Sequence, residues 1–66
     1  MSKIVKYKIA AYRKEKDYTQ KDMAEKLDIA LATYQRWENN PEEFRMGKAL
    51  ELTKILDVSL EELFLV

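Results

Sequence analysis

The sequence contains no cysteine and no histidine. Without thiols there is neither a disulfide framework nor a thiolate zinc site, and without imidazole the usual nitrogen ligand and general base are missing. One glycine and one proline, beside 36% charged and 47% hydrophobic residues, fit a folded helical chain and not a disordered tail or a fibrous repeat. No apolar run approaches the roughly 20 residues that span a bilayer. The N-terminus, where Lys3, Lys6 and Lys8 interleave with apolar residues, has no signal-peptide core. These absences predict a cytoplasmic chain that meets no membrane and holds no cofactor or metal. Catalysis would need paired carboxylates in a cleft that so small a helical chain can hardly form, so an enzyme is not expected.

What is present is a chain of 66 residues, which the length predicts to be one domain over 1–66. A chain this short buries only about 60% of the surface its unfolded form exposes, so its stability must come from compact packing and helix capping. Formal net charge is zero, yet residues 1–36 carry nine basic and five acidic side chains and residues 37–66 carry three and seven. The basic half suits phosphates, although the same asymmetry also suits an acidic protein partner.

Hydrophobic spacing supplies the elements. Val5, Ile9 and Tyr12 recur at intervals of four and three, one face of a first helix that reaches about Lys16. The stretch Lys3 to Ile9 also alternates and carries β-branched residues, which leaves open an extended arm before residue 8. Thr19 and Asp22 make a capping box for a second helix that buries Met23, Ala24 and Leu27, with Tyr18 as a staple on Met23. After Asp28, Ile29 and Ala30, a third helix turns Thr33, Tyr34 and Trp37 inward and Leu31, Ala32, Gln35, Arg36 and Asn39 outward. Asn40 and Pro41 suit a sharp turn and one helical turn, with Asn40 as its cap. A fourth helix over about Met46 to Leu56 is expected to bury Leu50 and Leu56, aided by Ala49, Leu52 or Thr53. Ser59 and Glu62 cap a final helix whose apolar face is Leu60, Leu63 and Phe64.

Two short helices joined by a three-residue turn, at about residues 19–39, make a helix-turn-helix unit whose second helix can enter a major groove. The run Thr19, Gln20, Ala24, Leu27, Ile29, Thr33, Tyr34, Trp37, Glu38 and Asn39 resembles the signature of phage-repressor and Cro-like helix-turn-helix proteins, with Arg13 before it and Val58, Ser59 and Leu63 after it. The resemblance covers residues 9–64 and implies an all-α, compact five-helix lambda-repressor-like DNA-binding domain. It also implies roles. Leu31, Ala32, Gln35 and Arg36 match the positions that read base edges. Arg is suited to guanine O6 and N7, Gln to adenine, and an apolar side chain to a thymine methyl. Gln20, Asn39, Asn40, Arg45 and Lys48 match backbone-contacting positions, Gln20 at a helix N-terminus where free N–H groups attract phosphate. Arg13 and Glu38 match an internal ion pair, and truncating one member of such a pair costs about 3–5 kcal/mol when it is fully buried.

Three features cut against a simple transfer. Glu42 and Glu43 would repel phosphates, unless they serve as first-turn acids behind Pro41. Ala30 stands where a capping Ser or Thr is usual, at a cost of about 1 kcal/mol. Leu31 and Ala32 would equally suit a protein interface, and Arg36 a solvated face. Two functions therefore follow. The first is a transcriptional regulator that reads a two-fold operator in double-stranded DNA as a homodimer, formed in solution or only on DNA, with no small-molecule effector and with control by operator occupancy. The second is an antitoxin-like or anti-repressor interaction module on the same scaffold. The apolar end Phe64, Leu65 and Val66 favours the second, and equally suits a dimer contact or closure of the core.

Overall fold

In the computed structural model, which describes residues 3–64 and the side chains of residues 8–64, the regular elements are helical throughout. Helix α1 runs over Lys3–Glu15, α2 over Gln20–Leu27, α3 over Leu31–Asn39, α4 over Met46–Leu56 and α5 over Leu60–Phe64, with one 3₁₀ turn at Pro41–Glu43. The backbone is helical from Lys3, which decides against an extended arm before residue 8 over the described residues. Val5 was expected on the inner face and Leu65 and Val66 at an apolar end; their side chains lie outside the described residues.

Local chemistry sets the boundaries. Thr19 sits in extended conformation, its Oγ1 accepts from the Asp22 N–H at 3.0 Å, and Asp22 Oδ2 accepts from the Thr19 N–H at 2.9 Å. The Ser59–Glu62 box closes in the same way at the start of α5, at 2.8 and 3.1 Å. Asp17, Asp28 and Asp57 take φ near +60° behind α1, α2 and α4, the left-handed conformation that glycine usually supplies at helix ends. With its only glycine at Gly47, the chain uses aspartate, one of the few other residues that tolerate it.

The core is built from Ile9 of α1, Met23, Ala24 and Leu27 of α2, Tyr34 of α3, Leu52 and Leu56 of α4, and Leu63 of α5. Helix α2 packs against α3 and α4, while α1 packs against α3 and α5. Trp37 packs on Phe44 in a tilted arrangement at 5.0 Å between ring centroids, and Phe44 meets Phe64 edge-on at 5.8 Å, which fastens the loop after α3 to α5. Trp37 is therefore part of the frame and not a stacking platform for bases.

The fourth helix departs from expectation. Its buried stripe is Ala49, Leu52 and Leu56, whereas Leu50 is 48% exposed. Leu50 and Leu56 lie six residues apart, about 240° around a helix, so they cannot share one face. Asn40 also differs: its side chain caps nothing ahead of Pro41 and instead donates to the Arg36 carbonyl at 3.0 Å, extending the end of α3.

Candidate nucleic-acid interface

The turn between α2 and α3 is short and tightly held. Asp28 N–H donates to the Ala24 and Glu25 carbonyls, and Ile29 N–H donates to Ala24 O at 3.0 Å. The chain thus leaves α2 through one left-handed residue, Asp28, and enters α3 three residues later at Leu31. Ala30, the residue before α3, has the extended backbone of a cap and no side-chain cap bond.

Helix α3 buries Tyr34, Trp37 and Glu38, with Thr33 half-buried. Its opposite face presents Leu31, Ala32, Gln35, Arg36 and Asn39 to solvent. Leu31 is 40% exposed, an apolar side chain at the exposed start of a helix. The four residues expected to read bases therefore share one open face, with Gln20 beside them at the first position of α2.

Beneath this face lies a hydrogen-bonded hub centred on Glu38. Arg13 Nε donates to Glu38 Oε2 at 2.8 Å and Arg13 Nη2 to Oε1 at 3.4 Å, with the two side chains 11% and 7% exposed. The Tyr34 hydroxyl donates to Oε2 at 2.6 Å, and the Gln20 carboxamide donates through Nε2 to Oε1 at 2.8 Å. Arg13 Nη1 donates to the Tyr18 carbonyl at 2.9 Å. One carboxylate thus ties α1, the start of α2 and the end of α3 together. Among the described residues no buried side-chain polar atom lacks a partner, as a buried charge requires.

The hub sets the protonation of its members. Burial alone would raise the Glu38 pKa, but the bonds from Arg13, Tyr34 and Gln20 and the charge of Arg13 outweigh it, and the carboxyl lies below the ordinary glutamate value. Burial and the bond to Glu38 push the Tyr34 phenol well above its ordinary range. Burial works against the Arg13 charge and is overcome by its bond to Glu38 and the attraction of that carboxylate, so the guanidinium is held more firmly than usual. The centre is an ion pair with a neutral phenol, a device for rigidity and not for proton transfer.

The remaining candidate residues divide. Gln35 Nε2 donates to Gln20 Oε1 at 3.2 Å, so these two carboxamides form a continuous polar strip on the surface. Arg36 Nε donates to Glu43 Oε1 at 2.9 Å, with side-chain exposures of 63% and 43%. Asn39 donates to the Gln35 carbonyl at 3.2 Å. Arg45 is exposed just before α4. Lys48 is committed within the fold: its Nζ donates to the Leu27 carbonyl at 2.6 Å, capping the end of α2, and lies 3.6 Å from Glu51. No local pattern signals the Gln20–Glu38, Gln35–Gln20, Arg36–Glu43 or Lys48–Leu27 contacts, which join residues from seven to twenty-one positions apart.

The profile of the helix-turn-helix family matches residues 9–63, and the chain belongs to that family, in its Cro-like branch. Comparison with curated proteins and with solved structures gave no match. Membership defines a DNA-binding transcription regulator of the helix-turn-helix type, acting on double-stranded DNA. Among the described residues no helix is long and apolar enough to cross a membrane.

Proposed function

We propose that the protein is a Cro-like repressor that reads a two-fold symmetric operator as a homodimer, with α3 in the major groove. The observation that carries this reading is the outward face of α3, where Leu31 is 40% exposed in line with Ala32, Gln35 and Arg36, beside a glutamine fixed at the N-terminus of α2. Leu31 and Ala32 offer apolar contact to a thymine methyl, Gln35 a carboxamide to adenine, and Arg36 a guanidinium to guanine. Gln20, Asn39, Asn40 and Arg45 take the phosphate backbone. Lys48 joins them only by giving up the Leu27 carbonyl. Control comes from operator occupancy, without a small-molecule effector, in the cytoplasm.

Selection of bound duplexes from a randomised library, with the wild type and Arg36→Ala at two salt concentrations, tests this. An inverted repeat with half-sites about 10 bp apart, relaxed at one position in the variant, is the expected result. No enrichment at either salt would remove the reading.

A second reading, a protein-interaction module, draws on an apolar groove of about 220 Å³ lined by Pro41, Phe44, Met46, Ala49, Leu60 and Phe64. Met46, at 65% exposure, flanks it. That groove lies on elements other than α3, so it is compatible with DNA binding. Mass in solution before and after Leu65→Ser and Val66→Ser separates association from packing.

A further inference from the structure

The last four carbonyls of an α-helix have no partner within it. At the end of α2 two of them are taken by the turn: the Ala24 carbonyl accepts from the Asp28 and Ile29 N–H groups, and the Glu25 carbonyl accepts from Asp28. The Leu27 carbonyl is taken from outside. Lys48, in the first turn of α4, donates to it through Nζ at 2.6 Å, from 21 positions away in sequence. A cation suits that place, because the C-terminal end of a helix carries partial negative charge. A charged donor also makes a bond about twice as strong as a neutral one. Glu51, three residues on in α4, lies 3.6 Å from the same nitrogen, and the Lys48 side chain is only 29% exposed. Lys48 is thus folded down on the protein.

We infer that Lys48 is a positioning residue for DNA reading: through the Leu27 carbonyl it fixes the direction in which α3 starts, and so the placement of Leu31 and Ala32. The inference rests on the reading of α3 as the base-reading helix. A rigid helix is aimed by two fixed points. The far end of α3 has one in Glu38, bonded to Arg13 of α1 and Gln20 of α2. The near end has little of its own. Leu31 and Ala32 are exposed, the first buried side chain is Tyr34, and Ala30 makes no side-chain cap bond. The near end is held instead by the turn before it, where Ile29 packs on the core.

That turn begins at the peptide group between Leu27 and Asp28. A peptide group is planar, so a bond to the Leu27 oxygen fixes the plane from which the chain enters Asp28. Asp28 stands at φ 59°, a conformation that side chains other than glycine disfavour, and α3 begins three residues later. A tilt of the plane is carried into the first turn of α3. Lys48 therefore braces the turn from α4, in place of the phosphate contact that its position in the sequence suggests. The two roles leave different marks. Removing a lysine that neutralises a phosphate reduces the slope of log affinity against log salt by about one. Removing a brace leaves the slope alone and blurs the bases that the near end of α3 reads.

Duplex selection, and anisotropy over a series of salt concentrations, are run on the full chain with the wild type, Lys48→Met and Lys48→Arg. Methionine keeps an apolar stem and removes the donor, whereas arginine keeps a charged donor. Urea unfolding verifies that each variant is folded, and Lys48→Gln, with a shorter neutral donor, serves should Lys48→Met not fold. Leu31→Ala and Arg36→Ala assign the base pairs read by the near and far parts of α3. In Lys48→Met the preference at the Leu31 base pair falls about fivefold or more, while the Arg36 base pair keeps its preference and the salt slope is that of the wild type. Lys48→Arg retains the wild-type pattern. The brace is overturned if the Met and Arg variants behave alike, or if Lys48→Met binds every sequence less well by the same factor. A salt slope reduced by about one, with both preferences intact, makes Lys48 a phosphate contact and overturns it as well. In each of these cases the base-reading role of α3 survives. Should the wild type enrich no sequence at all, that role itself fails and the brace with it.

Discussion

The Arg36 guanidinium, on the exposed face of α3, is bonded through Nε to the Glu43 carboxylate at 2.9 Å. The acid that looked in sequence like a liability next to phosphates is a partner of the side chain expected to reach guanine. Because both members are more than two-fifths exposed, the pair adds at most about 1 kcal/mol to stability. Its effect is expected on binding, because Glu43 occupies the Nε that Arg36 would otherwise offer to DNA. Glu43→Gln is expected to leave urea unfolding within about 0.5 kcal/mol of wild type. It should raise affinity for every duplex by removing a negative charge near the backbone, and weaken discrimination at the Arg36 position. Fluorescence anisotropy with matched and mismatched duplexes checks both effects; a uniform loss of affinity would show that the carboxylate assists the arginine.

Acid should unfold the protein through Glu38. Its carboxyl is held below the ordinary value of 4.5, so its contribution is complete above that value and is lost as pH falls toward and through the folded one. The Tyr34 phenol is shifted the other way, above its ordinary 10.0, so its contribution is present below that pH and lost as the solution becomes more alkaline. Tyr34→Phe removes a donor to a charged acceptor and should cost about 1.5–3 kcal/mol at neutral pH, while flattening the alkaline limb. Urea unfolding from pH 3 to 11 resolves the two limbs. An alkaline limb unchanged in Tyr34→Phe would assign it to other groups.

The starts of α3 and α4 both lack a side-chain cap bond, and that of α3 opens the exposed face that carries Leu31 and Ala32. Ala30 has φ −68° and ψ 148°, the backbone of a capping residue, without a side chain to fill the role. Ala30→Ser should therefore stabilise the protein by about 0.5–1 kcal/mol, read as a higher midpoint in urea at unchanged slope. If stability does not rise, the first N–H groups of α3 are already satisfied by solvent, and the alanine costs nothing.

How much of this was legible beforehand depends on reach along the chain. Both capping boxes join residues three apart, and the helices they start were readable from Thr19 and Asp22, and from Ser59 and Glu62. The open face of α3 followed from period alone, because Tyr34 and Trp37 leave only one direction for Leu31, Gln35 and Arg36. The Arg13–Glu38 pair, twenty-five residues apart, came only through family resemblance, since no local rule links them. The other two donors to Glu38 were not legible: Tyr34 read as plain core and Gln20 as a phosphate contact at the start of the second helix. Leu50 misled because α4 has several apolar stripes, and the choice between them is made by α2 and α5, not by α4. Helix ends were blurred because aspartates stand where glycine would mark them.

Gly47 gives the clearest separation of fold from function. It lies in the first turn of α4, and a Cβ built there meets nothing within 4 Å. Its backbone is ordinary helix, outside the left-handed region, so alanine adopts it without strain. Glycine in a helix costs about 0.5–1 kcal/mol relative to alanine, because more conformational freedom is lost on folding. Gly47→Ala should recover that amount and raise the melting temperature by about 2–8 °C in a chain of this size. Helix α4 packs its inner face on α2 and α5, and residue 47 faces solvent, so duplex affinity should not change. Thermal unfolding and anisotropy on the same sample decide it. A stabilised variant that has lost DNA affinity would mean that the first turn of α4 approaches the duplex closely enough for a single methyl group to intrude.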